Sequence, residues 1–90
     1  MEKKSDYEKV MTDIIQKQIV ILGPDIALLK VKDVPNINVN EKGEVVEIKG
    51  NSRDALQKLV ESYVSLSGQI FKSVITPLLK KYPDMVVNII

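Results

Sequence analysis

Asn36, Asn38 and Asn40 alternate with apolar residues and are followed by Gly43 in the stretch NINVNEKGEVVEIKG, residues 36–50. Oxygen-bearing side chains at alternate positions ahead of a glycine can ligate calcium. An EF-hand loop sets oxygen ligands at positions one, three and five, glycine at six and a bidentate glutamate at twelve. Counted from Asn38, Asn40 falls at position three and Gly43 at six. Lys42, however, takes position five and Lys49 takes position twelve. Two cations inside the coordination sphere oppose a dication by like-charge repulsion. The alternating Val and Ile residues are the mark of a half-buried hairpin. A calcium-binding loop therefore stands as a weak alternative to that hairpin, and no metal ligand is assigned.

Glu41, Glu44 and Glu47 in the same stretch are the other candidate chemistry, since paired carboxylates at a set separation can do acid–base work. Lys42 and Lys49 are interleaved with them, as in the charged edge with which hairpins guard against unwanted pairing. Cysteine and histidine are absent. Without them the chain has no disulfide, no imidazole base for a Ser–His–Asp or Cys–His system, and none of the usual ligands of zinc, haem or iron–sulfur clusters. No catalytic residue and no cofactor is assigned, and a non-enzymatic protein is expected.

Ninety residues, 44% of them apolar, point to a single small domain. A domain of this size buries roughly 60–65% of its unfolded surface, enough for a thin core. Aromatic residues are few (Tyr7, Tyr63, Phe71 and Tyr82), so that core must be aliphatic. Thirteen basic residues balance twelve acidic ones, whereas binding through phosphate neutralisation calls for a basic surplus. The opening MEKKSDYEKV lacks the apolar segment of a secretory signal. Apolar runs such as IVIL at 19–22 are far shorter than the roughly 20 residues a membrane helix needs. These features predict a cytoplasmic protein with no membrane partner. Twelve lysines against the single Arg53 fit either a genome-composition bias or adaptation to heat.

The elements that must position any site follow from periodicity. Tyr7, Val10, Met11, Ile14, Ile15, Gln18, Ile19 and Leu22 recur at three- and four-residue spacing over 5–22, behind the capping box SDYE; this predicts an amphipathic helix. Its opposite face carries Glu8, Lys9, Thr12, Asp13, Gln16 and Lys17. Gly23 and Pro24 stop it, and Pro24 opens a short helix to about residue 33 with Ile26, Leu29 and Val34 on one stripe. Residues 37–39 and 45–49 form the two arms of the hairpin around NEKGE, with Val39, Val46 and Ile48 on its apolar face. From Ser52, capped by Asn51 or by Ser52 itself, a long helix carries Leu56, Leu59, Val60, Tyr63, Leu66, Ile70, Phe71, Val74, Ile75 and Leu78. Run straight to Tyr82 it would measure about 45 Å, against a radius of gyration of about 12 Å for a globule of this size. A break or kink is expected near Pro77, with Gly68 a second weak point. The fold class is thus α+β, mainly helical, in the order helix, short helix, hairpin, broken long helix and apolar tail.

The sequence's best functional signal is apolar surface in excess of what so small a body hides. Leu66, Ile70, Phe71 and Val74 of the long helix, with Met85, Val86, Val87 and Ile89 of the tail DMVVNII, make the expected protein interface. Ser62, Ser65, Ser67, Gly68 and Ser73 would allow close approach beside it. A homodimer, or a place in a larger protein assembly, is the leading expectation. The alternative is a nucleic-acid accessory protein using Lys30, Lys32, Lys80 and Lys81, because helix–helix–hairpin–helix is similar, in topology alone, to part of a winged-helix plan. Near-neutral charge and a glutamate-rich hairpin weigh against it.

Overall fold

The computed structural model describes residues 4–81. Helix α1 (Lys4–Leu22) is followed by α2 (Pro24–Val31), strands β1 (Ile37–Val39) and β2 (Val45–Ile48), and helix α3 (Ser52–Leu79). The chain is mainly helical α+β with one antiparallel hairpin, as its periodicities predict. Helix α1 buries the apolar stripe read from its spacing: Tyr7, Val10, Met11, Ile14, Ile15 and Gln18 all lie in the interior. It packs against α2, β2 and α3 alike. Gly23, at φ 87°, ends it with its N–H on the Ile19 carbonyl at 2.8 Å, and Pro24 starts α2 where a missing N–H costs nothing.

Helix α2 departs from the expected stripe. Ala27 and Val31, one turn apart, are buried, with Val34 just beyond, while Ile26 and Leu29 face outward. The Tyr63 hydroxyl explains the phase: it donates to the Ala27 carbonyl at 2.9 Å in the interior. That contact brings α2 against α3 at its smallest side chain and turns the neighbouring large ones out.

The hairpin has the expected arms and a five-residue turn, but not the expected face. Ile37 lies opposite Ile48 and Asn38 opposite Glu47, then Val39 opposite Val45, so Val46 is an extra residue in β2. This bulge interrupts the two-residue alternation. Val45 and Ile48 are buried, and Val46 is exposed. At the turn, the Asn40 side-chain oxygen accepts from the N–H groups of Lys42 and Glu44 at 2.9 and 3.0 Å. Gly43 takes φ 82°, and a β-carbon built on it would come 2.7 Å from Ile19 Cδ1 and 3.1 Å from Ile15 Cγ2. The turn therefore rests directly on α1. Gln16 donates from Nε2 to the Lys42 carbonyl, and the Val45 N–H donates to Thr12 Oγ1 at 2.9 Å.

Helix α3 starts at an Asn51 cap, whose side chain accepts from the Asp54 N–H at 3.0 Å. The expected break is present, but it sits at Gly68 (φ 56°, ψ −121°) and not at Pro77. Those dihedrals mirror an ordinary extended conformation and are open, in practice, to glycine alone. Pro77 is carried inside the second segment. Its ring lies on the solvent side with Ser73 and Thr76, and Thr76 Oγ1 donates to the Lys72 carbonyl at 2.7 Å. The roughly 3 kcal/mol that proline costs a helix interior is offset by burial of Phe71, Ile75 and Leu78. Over the break the Tyr63 and Phe71 rings meet with centroids 5.7 Å apart at 42°.

Two stability measurements follow. Gly50 (φ 77°) has open space where a β-carbon would go, whereas Gly43 does not. Gly50→Ala should cost about 1–2 kcal/mol, the left-handed backbone penalty alone, and Gly43→Ala about 2–4 kcal/mol once overpacking against α1 is added. Equal losses in urea unfolding would show that the turn does not press on the helix. Burial also pushes the Tyr63 phenol above its ordinary value of 10.0. A group whose folded pKa is raised contributes stability that is complete below the unfolded pKa and declines as pH rises past it. Stability should therefore fall above pH about 10, with a shallower fall in Tyr63→Phe, which itself should lose about 0.5–1.5 kcal/mol at neutral pH with the buried hydroxyl–carbonyl hydrogen bond. An identical alkaline slope in both proteins would contradict the assignment.

Candidate functional site

The hairpin residues with metal-ligand chemistry are occupied in building the turn. Asn40 spends its oxygen on two backbone N–H groups, and its amide donates to Glu44 Oε1 at 2.8 Å. Asn38 donates from Nδ2 to Glu47 Oε1. Two of the three glutamates are thus partners of asparagines on their own hairpin, and among the described residues no group of three or more acidic, histidine or cysteine side chains converges. Tyr63, the described residue whose ionisation is shifted, is a buried hydroxyl that stays protonated and bonds a carbonyl.

The residues expected at a protein interface separate. Leu66 and Ile70 flank the Gly68 break and are 42% and 59% exposed. Phe71 is 1% exposed and belongs to the core beside Tyr63; it is not an interface residue, because the break turns the second segment so that Phe71, Ile75 and Leu78 face inward. The side chain of Val74, and Met85, Val86, Val87 and Ile89, lie outside the described residues. Sequence periodicity set Ile26 and Leu29 of α2 on one apolar stripe, whereas Leu29 is 65% exposed and Ile26 nearly half so. The Tyr63–Ala27 hydrogen bond holds that helix beside the part of α3 that leads into Leu66. The signal for them was present only as apolar residues on both sides of a short helix, which no single stripe can bury.

The lysines of the nucleic-acid alternative do not share one groove. Lys30 pairs with Asp33 at 3.7 Å. Lys32 lines a groove of about 480 Å³ between α2 and β1 that also holds Glu41. Lys81 lines a separate depression beside α1 with Asp13 and Lys17, and Lys80 is exposed nearby in sequence. Lys30, Lys32 and Lys81 each have a carboxylate on the same patch, and the four are divided among separate surfaces. Among the described residues no helix is long and apolar enough to cross a membrane. No protein-family model, curated protein or solved structure matches the chain.

The division between interface and core is directly measurable. Phe71→Ala should cost about 3–5 kcal/mol of unfolding free energy, the usual loss for a buried ring. Leu66→Glu should change stability by no more than about 0.5 kcal/mol, as expected of a surface site. The reverse order in thermal or urea unfolding would place the interior on the other side of α3.

Proposed function

We propose that the protein is a small non-enzymatic protein–protein interaction module of the cytoplasm. It docks through the helical face carrying Leu66 and Ile70 of α3 with Ile26 and Leu29 of α2, and a second copy of the chain is its first partner. The observation that carries this reading is the exposure of Leu66 and Ile70 on either side of the Gly68 break. The break could have turned these side chains inward with Phe71, and it leaves them in water.

Their magnitude sets the kind of contact expected. Burying four such side chains gains roughly 6–12 kcal/mol at about 1.5–3 kcal/mol each. Association costs on the order of 4–15 kcal/mol in lost translational and rotational freedom before any contact is counted. At most about 8 kcal/mol is left over, so these four side chains support a reversible complex no tighter than about micromolar, one that forms where the partners are concentrated or tethered. The apolar side chains of the tail expected to join this interface would tighten it.

Sedimentation and amide NMR across a concentration series test the reading together. Mass should rise with concentration while the signals of Ile26, Leu29, Leu66 and Ile70 shift. The Leu66→Glu/Ile70→Glu double variant should keep its helix content and associate at least about tenfold more weakly, the cost of placing charge in a desolvated contact. A chain that stays monomeric up to millimolar concentration, or signals at these four residues that never move, would end it.

A further inference from the structure

Among the described residues of α3, Gly68 is the one whose backbone leaves the helical region, at φ 56° and ψ −121°. Outside its own helix no atom lies within 4 Å of where a β-carbon on it would stand, so the elbow is not held at its turning point. Burial further along holds the segment beyond it, residues 69–79. The Phe71 ring meets Tyr63, Ile75 and Leu78 lie in the interior, and Leu78 lines a depression with Asp13 and Lys17 of α1. None of these contacts requires the two halves of α3 to belong to one chain. The residues before and after Gly68 are helical, so turning its two dihedrals into the helical range joins them as one straight helix. On that helix Leu59, Tyr63, Leu66 and Ile70, spaced by four, three and four residues, share one stripe.

We propose that Gly68 is an exchange hinge: α3 straightens there, and residues 69–79 of each chain pack on a second copy in the place its own segment leaves. The proposal rests on the reading that a second copy is the first partner, and it names the element the two copies trade. The surface uncovered by straightening fits Phe71, Ile75 and Leu78, because in the closed chain it is these side chains that cover it. A second copy carries the same three. Exchange thus loses no burial, and swapping an identical element is for that reason a low-cost route to a dimer. It also gains some. The partner's segment, packed against Tyr63, lies along the stripe that Tyr63 shares with Leu66 and Ile70, so the two side chains left in water by the elbow are covered. The entropy of association opposes this gain. Dilute chains therefore stay closed, and concentrated ones exchange.

The chain has no cysteine, so spin labels placed by Arg53→Cys and Lys80→Cys report on this helix alone. The doubly labelled chain, mixed with unlabelled chain, is unfolded in urea and refolded at micromolar and at millimolar concentration. A mixture of the two singly labelled chains is treated alike. Refolded dilute, the doubly labelled chain should give one distance inside the 32 Å length of the body. Refolded concentrated, it should give a dimer with about 40 Å between the labels of each chain, while the mixed single labels show, between chains, the short distance of the closed form. Gly68→Ala should form this dimer at least about a hundredfold more readily, since both chains are relieved of a positive-φ penalty worth roughly tenfold apiece. Where Gly68→Ala does not refold, the wild-type distances decide. A dimer whose chains keep the short internal distance would overturn the exchange and leave docking through the elbow face standing. A folded Gly68→Ala that dimerises no more readily than wild type would also overturn it. No dimer of either protein at millimolar concentration would end both readings.

Discussion

A helix of 28 residues would run about 42 Å if straight, and the body it belongs to measures 32 Å along its longest axis. Everything distinctive about this protein follows from how that mismatch is met. The helix folds at Gly68, where the backbone takes dihedrals that a side chain would oppose. Below the break Leu56, Leu59, Val60 and Tyr63 pack inward; above it Phe71, Ile75 and Leu78 do the same. A chain short of aromatic residues thereby places both Tyr63 and Phe71 in one interior and lets their rings touch. Leu66 and Ile70 are left at the elbow, in water. The break is thus the source both of the core's closure and of the apolar surface outside it.

Helix α1 is the second support, and it works on two sides. Its apolar stripe faces α2 and α3, as an amphipathic helix must. Thr12 and Gln16, which lie off that stripe, and Ile15 and Ile19, which belong to it, receive the hairpin. A two-stranded hairpin alone is marginal in water. Here its turn is held by Asn40, its glycine lets the backbone approach the helix, and Val45 and Ile48 complete the core. The asparagine-and-glycine pattern that resembles a metal loop is accounted for by turn geometry. With α1 against β2, β1 pairs among the described residues with β2 alone, and the groove beside it is framed by the end of α2.

Much of this was legible in the sequence, and the failures have a common cause. The stripe of α1, the Gly23–Pro24 stop, the Asn51 cap and the two strand segments are local signals, and local signals place them within a residue or two. What was not legible depends on contacts between elements. The phase of α2 is set by the Tyr63–Ala27 hydrogen bond, which joins residues far apart in the chain. The inward face of β2 is shifted by a bulge at Val46, which alternation cannot anticipate. Proline was read as the stronger interruption of α3. Yet proline on a solvent-facing turn removes one hydrogen bond, and a glycine free to adopt mirror-image dihedrals can turn the whole chain. The same misplacement explains the interface residues. A stripe drawn straight through Gly68 puts Phe71 beside Ile70, and the turn at Gly68 sends the two in opposite directions. Leu66 and Ile70 were read as interface residues from the excess of apolar surface, and the Gly68 break leaves them exposed; Ile26 and Leu29 were not, because their exposure depends on α2's phase.

The fold-back of α3 is the claim on which the exposed elbow and the closed core both rest. It is most directly tested, in dilute solution, by the distance between spin labels at Arg53 and Lys80, both exposed and at opposite ends of the helix. A helix folded at Gly68 gives a narrow distribution well inside the 32 Å length of the body. A population centred near the ~40 Å of an uninterrupted helix would contradict it.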